Sequence, residues 1–513
     1  MNNALRTYAK DNGGRVSLLL LLFFVAIYEF ISAGFSAFAI VCATPLLALF
    51  VIGSFRYRMF LFWCLILFNY LVQMKDFPAF PGPMSLPSEM LEIALLAIAI
   101  IDVEKSYFER IGNIMFFSLA AWCAFCTLEV LNDTCGLGIN IGAWYTGARM
   151  MAFQQMYIFL VFTLYISSPK ILTQYLYLWG GLALFAVFWI WKQQNIGFTK
   201  TEFNWLYNGP GGVTHLLQAR TLIRYWSIYG DAANYGVGIA STGVAFIIFG
   251  ITSKIKKLKY YFLIVGVACI WGMFPSGTRT AIACLMAGFI TYIFLSKSFK
   301  IAVPFTILFA FFAFILVFTN IGQGNQQIRR MRSAFNKKDA SANVRTINQA
   351  TMRKYMKEAP WGIGIGMNYE NVPTNNKYRR MTTIAPDSEY VFIWLRTGVV
   401  GITTFLISTA IMLLGACWIV FFTLKNPSLR GIGAGFCCAF VSQQLGGYGN
   451  QVLMQFPSCL IIYGGLSLVY ALPFMEKEWI EYESKLLAVQ TEKERQKLEK
   501  RKKLRVTTWF KWI

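Results

Sequence analysis

Charge and histidine are scarce in this sequence: 14% of its 513 residues are Asp, Glu, Lys or Arg, and His215 is the single imidazole. A soluble domain carries about 25% charged residues, so too few polar side chains are present to coat a globule of this size. A water-soluble fold is excluded. No Cys/His zinc spacing, Walker motif, acidic DxD-type cluster or Ser/His/Asp arrangement presents itself. The lone loop His215 reads as incidental rather than catalytic. The 11 Cys lie almost all in apolar runs, with only Cys135 in a polar loop, so no disulfide framework is drawn from them. Cys123 and Cys126 stand one helical turn apart inside FFSLAAWCAFCTLEVL, where a small apolar side chain explains both.

What is abundant is apolar: 57% of the chain is hydrophobic, including 46 Phe, 25 Tyr and 15 Trp. These residues are bunched into runs of roughly 20, the length that crosses a bilayer core. Candidate spans are 16–33, 35–53, 58–74, 88–102, 111–131, 147–168, 171–191, 230–251, 259–275, 279–296, 300–319, 398–424, 431–447 and 452–474. Runs this long are helices, not the ten-residue alternating strands of a barrel. The expected fold is an all-α polytopic membrane protein of about 14 transmembrane helices. The first run lacks a small-x-small cleavage site and reads as a retained helix, not a signal peptide.

Lys and Arg fall in alternate short loops: Arg56 and Arg58, Lys105 and Arg110, Lys170, Lys254 to Lys259, Lys297 and Lys300, Lys425 and Arg430. The positive-inside rule places these loops and both termini in the cytoplasm. Two long connections, 192–229 and 321–386, then face the opposite, periplasmic side. The second holds twelve Lys plus Arg against three Asp plus Glu. Residues 1–474 form the expected membrane domain and 475–513 a basic cytoplasmic tail helix. The tail's Trp509, Phe510 and Trp512 among basic residues suit anionic lipid headgroups, or its charges only fix topology. The net charge of +23 is explained by loops at the membrane, so nucleic-acid binding is not expected.

Arginines on the expected outer side form three groups. Arg220 and Arg224 precede Asp231 and Asn234 in ARTLIRYWSIYGDAANYG; Arg279 stands in PSGTRTA; Arg329, Arg330, Arg332 and Arg345 lie in the long loop, before PWGIGIG and PDSEYVFIWLRTGVVG. A guanidinium keeps its proton and offers a fork matched to phosphate oxygens, so several on one face point to a phosphate or pyrophosphate ligand. Arg279 is the strongest, because Pro275, Ser276 and Gly277 break the helix beside it. Arg329, Arg330 and Arg332 read individually as solvated loop charges. Gly362, Gly364 and Gly366 lack the strand-turn-helix setting of a dinucleotide site and read as a tight turn.

Taken in order, Ser276 to Arg279, Arg345, Pro360 to Gly364, and Tyr390 with Gly398 and Gly401 resemble the motifs of the O-antigen ligase and O-antigen polymerase superfamily of bacterial surface polysaccharide assembly. Arg224, Asp231 and Asn234 match that family's Arg-containing loop, and the resemblance covers roughly residues 220–420. It implies a glycosyltransferase of the bacterial inner membrane, inverting and independent of metal or other cofactor. The implied donor is an oligosaccharide on undecaprenyl pyrophosphate, its pyrophosphate held by Arg220, Arg224, Arg279 and Arg345 with Tyr390 nearby. The implied acceptor is a second lipid-linked glycan for a polymerase, the favoured reading, or lipid A-core for a ligase. The family's His corresponds to Asp387, so Asp387, Glu389 or His215 is expected to replace it as base. Two rivals are a transporter, which would show broken helices and repeated halves, and a non-catalytic partner in a polysaccharide complex.

Overall fold

The computed structural model describes residues 56–77, 85–102, 104–217, 222–297 and 340–509, with scattered positions elsewhere and side chains up to 496. The expected spans 16–33, 35–53 and 300–319 fall largely outside these residues. So do Arg220, Arg329, Arg330 and Arg332 and the side chains of Trp509, Phe510 and Trp512.

The described chain is helical almost throughout. Its main helices are α1 (Arg58–Leu71), α2 (Leu86–Asp102), α3 (Ile114–Leu128), α4 (Ile141–Ala148), α5 (Gln154–Tyr165), α6 (Pro169–Asn195), α7 (Ala232–Thr252), α8 (Lys256–Gly272), α9 (Arg279–Leu295), α10 (Ala340–Met356), α11 (Glu389–Trp418), α12 (Pro427–Gly449) and α13 (Ser458–Trp509). A two-stranded hairpin, β1 (Leu216–Leu217) and β2 (Leu222–Ile223), pairs Leu216 with Ile223 and Leu217 with Leu222. Side-chain caps set several helix starts: Asn113 accepts from Phe116 N–H, Asn426 from Ser428 and Leu429 N–H, and Asp231 from Ala233 and Asn234 N–H.

Among the described residues, six segments are long and apolar enough to cross a membrane: Ile114–Leu131, Pro169–Asn195, Ala232–Thr252, Lys256–Ser276, Glu389–Thr423 and Ser458–Gln496. Ile100, Phe117, Phe294, Leu414 and Phe422 point outward, fully apolar, as lipid-facing positions do. At the centre stands α7, nearly every side chain of it buried, packed on α8, α9 and α12. Helix α13 packs on α5 and α12, and α3 on α11. Gly435 lets Phe249 of α7 close onto α12, where an added Cβ would lie 2.4 Å from the ring.

Four expected boundaries differ. The 398–424 span begins earlier, at Glu389, and Gly398 (φ 66°, ψ −166°) breaks it internally. The 452–474 span begins only at Ser458, because backbone carbonyls and amides of 450–457 are used by neighbouring side chains. The 147–168 span is interrupted by a π-helical turn, Arg149–Phe153. The tail is not a separate helix: α13 runs on through Pro473. Its start is tied to the basic loops, with Lys254 3.6 Å from Glu483, Lys256 2.9 Å from Glu494, and Glu476 accepting from Lys425 and Asn426 N–H. The break near Gly277 is where the sequence places it: Gly277 is left-handed (φ 57°) between Phe274–Ser276 and α9.

Candidate functional site

At the end of α8 opposite Lys256, the Ser276-Gly277-Thr278 turn is knotted by its own hydroxyls. Ser276 Oγ donates to Met273 O (2.7 Å) and accepts from Thr278 N–H (3.2 Å), while Thr278 Oγ1 donates to Ala232 O (2.7 Å). Gly236 of α7 lets this knot approach, since a Cβ there would sit 2.5 Å from Ser276 Oγ. The Arg224 guanidinium closes over it, donating from Nε to Ser276 O (3.3 Å), from Nη2 to Thr278 Oγ1 (3.2 Å) and from Nη1 to Thr214 O (3.3 Å). Arg279 opens α9 directly after the knot, at the positive end of that helix's dipole.

Arg345, on α10, reaches the C-terminal end of α12 and donates to Gly449 O at 2.9 Å. Asn450, the next residue, donates to Thr280 Oγ1 at 2.8 Å, so the Arg345 and Arg279 segments meet there. The three cations act on one another: burial lowers the pKa of Arg224, Asp231 raises it, and the charges of Arg279 and Arg345 lower it again. Arg224, Arg279 and Arg345, distant in sequence, are therefore gathered at one end of the bundle, each half-buried.

The motif that follows borders the same corner. Asn348 of α10 donates to Ala385 O, and Ser388 Oγ donates to Gly447 O (3.1 Å). Between them Asp387 is left-handed (φ 55°) and its carboxylate has no hydrogen-bond partner among the described residues. A non-glycine residue held there stores backbone strain, which clusters at functional positions. Glu389 is buried and committed: its Oε2 accepts from Leu453 N–H at 2.8 Å, with Val452 and Met454 N–H also directed at the carboxylate. Tyr390 OH donates into the Gln444 carbonyl region (2.9 Å), joining α11 to α12 rather than facing the cations.

Residues 264–406 match the family model described as O-antigen ligase. The resemblance to the O-antigen ligase and polymerase superfamily holds over this segment. It contains Arg279, Arg345, Asp387, Glu389 and Tyr390, while Arg224 lies ahead of it. A comparison with curated proteins finds no match. With the apolar helices, the match indicates a multi-pass protein of the bacterial inner membrane with glycosyl transfer of the O-antigen ligase type.

Two residues ahead of the matched segment prove structural. His215 is buried between Trp205 and Trp226, its Nδ1 bonds Gly211 O (3.1 Å) and its Nε2 accepts from Ala232 N–H (3.1 Å). With that lone pair occupied, His215 is not free to take a proton from an acceptor. Burial, then the Arg224 charge, depress its pKa to about 3. Asn234 donates to Phe456 O and accepts from Ser458 Oγ, tying α7 to α13.

Sequence reasoning missed Lys75. It donates to Gly230 O (2.9 Å), lies 4.1 Å over the Trp205 ring, and faces Asp231 and His215. It also missed charge inside the spans: Arg149 pairs with Glu89 at 3.3 Å, and Gln154 Nε2 donates to both oxygens of buried Glu92. Charge in an apolar run was the available signal.

The glycine motif is a wedge. Ile363 N–H donates to Leu395 O (3.0 Å), Gly364 N–H to Arg396 O (3.0 Å) and Val400 N–H to Pro360 O (3.3 Å), so Pro360–Gly364 fills the break in α11 at Gly398. Beyond it, Gly366 abuts α4, where a Cβ would lie 2.2 Å from Ala143. Between α4, this turn, α11 and 451–455 opens a cavity of about 570 Å³.

Proposed function

We propose that the protein is a multi-pass membrane glycosyltransferase of surface polysaccharide assembly, its reaction centre on the periplasmic face and both termini in the cytoplasm. It takes an oligosaccharide from undecaprenyl pyrophosphate and joins it to a hydroxyl of a second lipid-linked glycan. The observation that carries this is the convergence of Arg224, Arg279 and Arg345, with Lys75 beside them, at one bundle end. Among the described residues Asp231 is the carboxylate acting on Arg224, and Asp231 is occupied as the cap of α7. Guanidinium groups gathered in this way are suited to a pyrophosphate.

In this reading the acceptor oxygen attacks the anomeric carbon while the bond from that carbon to the phosphate oxygen breaks, inverting the centre. The departing pyrophosphate gains negative charge, which the guanidinium groups and the N-terminus of α9 stabilise in place and without reorganisation. The acceptor's proton passes to Asp387, whose carboxylate is uncommitted. Glu389 positions 452–454 rather than taking the proton. Arg220, outside the described residues, is assigned to the same phosphates from the sequence alone. A lipid A-core acceptor is the second reading, favoured by the O-antigen ligase description of the matched segment.

The test is complementation of a deletion strain with wild type, Arg279→Gln, Arg345→Gln and Asp387→Asn at matched membrane levels, with surface glycan resolved by gel. Each variant is expected to lower transfer about 100-fold or more. Loss of the long-chain ladder, with single repeats retained, identifies a polymerase. Polymer stranded on its lipid carrier identifies a ligase. Wild-type glycan from all three variants would overturn the site.

A further inference from the structure

The cavity beside the cation cluster contains an arginine that the transfer reaction does not use. Arg396 sits on α11 with Glu389 and Phe392, at spacings of three and four residues that put all three on one helix face. Its Nε and Nη1 are buried with no hydrogen-bond acceptor among the described residues. The guanidinium lies 5.3 Å from the Phe392 ring. Two carboxylates also line the cavity, and neither neutralises it: Glu389 is taken by backbone N–H groups, and Glu370 is exposed at the mouth. A buried cation without a partner is costly, and burying one is tolerated where a ligand completes it.

The other walls fit a sugar. Thr146, Asn368, Gln451 and Gln455 supply hydroxyl and amide groups, and the cavity's 570 Å³ lies within the roughly 300–1,000 Å³ of small-molecule sites. Its position relative to the cations is set by shared backbone. Gly449 accepts from Arg345, Glu389 holds Leu453, and Gln451 and Gln455 line the cavity, so residues 449–455 separate the two sites.

We propose that this cavity is a saccharide subsite whose Arg396 recognises a single anionic group, carboxylate or phosphate, on a sugar ring. The proposal rests on the glycosyl-transfer reading above, and it names an acidic glycan as the substrate class. The guanidinium would donate to the oxygens of the anion, while the amides of Gln451 and Gln455 meet ring hydroxyls.

The full-length protein in nanodiscs is titrated with a glucuronate-containing disaccharide, its neutral glucose counterpart, and glucose 6-phosphate. Wild type is expected to bind one of the anionic sugars about tenfold more tightly than the neutral one, and which it prefers tells carboxylate from phosphate. Arg396→Gln is expected to erase that preference. Arg396→Lys, which keeps the charge without the fork, is expected to retain part of it, and covers the case in which Arg396→Gln does not fold. No preference in wild type, or an undiminished one in a folded Arg396→Gln protein, would overturn the subsite. The transfer variants separate the two readings: normal transfer by Arg279→Gln, Arg345→Gln and Asp387→Asn together defeats the function proposed above, whereas lost transfer by them with no acidic-sugar preference in wild type defeats the subsite alone.

Discussion

Lys75 shows how a loop cation becomes pH-sensitive once packed. Burial pulls its pKa down to about 8, against the opposing pull of Asp231. Its folded pKa lies below that of the unfolded chain, so between about 8 and 10.5 the unfolded state binds more protons and this group's contribution to stability rises with pH. The cluster's positive charge does the reverse and falls through the same window. Binding of a short-chain prenyl pyrophosphate should therefore weaken from pH 7 to 9, and Lys75→Arg should flatten that decline; a flat wild-type profile would count against Lys75 as part of the anion site. His215 has the opposite character. The folded state keeps it neutral down to about pH 3, so the stability it supports is intact above about 6.5 and erodes as pH falls below that. His215→Ala should cost about 2 kcal/mol in a thermal melt by orphaning Ala232 N–H, yet leave transfer far less impaired than Arg279→Gln. Arg224, Arg279 and Arg345 were legible in the sequence because each sits in a recognisable short motif. The role of His215 was not, since the amide that occupies its lone pair comes from the start of α7, 17 positions on.

At the scale of elements, hydropathy found the helices but misplaced the ends nearest the site. Glu389 and Arg396 made residues 389–397 look like the last of a loop, whereas their backbone is helical and the charges face a cavity. The wedge at Gly398 was likewise invisible, because the partner that requires it, Pro360–Gly364, is remote in the chain. A glycine is needed at 398 on two counts: its φ is 66°, and a Cβ would meet Pro360 O at 1.9 Å. Gly398→Ala should destabilise the protein by about 3 kcal/mol or more, seen as a lowered melting temperature. A neutral effect would mean the turn does not insert there in solution. The expected start of a separate tail helix at 475 is not observed, for a related reason. A window over composition registers the change from apolar to charged residues near 475 but not that one helix axis carries both.

At the scale of the whole molecule, the basic loops and the arginine cluster occupy opposite ends of the bundle, as the alternation of Lys and Arg along the chain anticipates. A membrane-impermeant maleimide should label Glu370→Cys in spheroplasts and Lys256→Cys only after lysis. The reverse pattern would turn the arginines toward the cytoplasm and away from an outward-facing donor. The helical membrane class, and the separation of the basic loops from the arginine motifs, were legible because they are summed over hundreds of residues. The packing of α7 at the centre was not, since its composition differs little from that of its lipid-facing neighbours. The wedge also bears on chain entropy. A connection pinned at Pro360–Gly364 behaves as two shorter segments, each with fewer conformations to surrender than one long span. A glycan that docks against Ile365 and Gly366 thus meets a wall already fixed, and loses little affinity to ordering it.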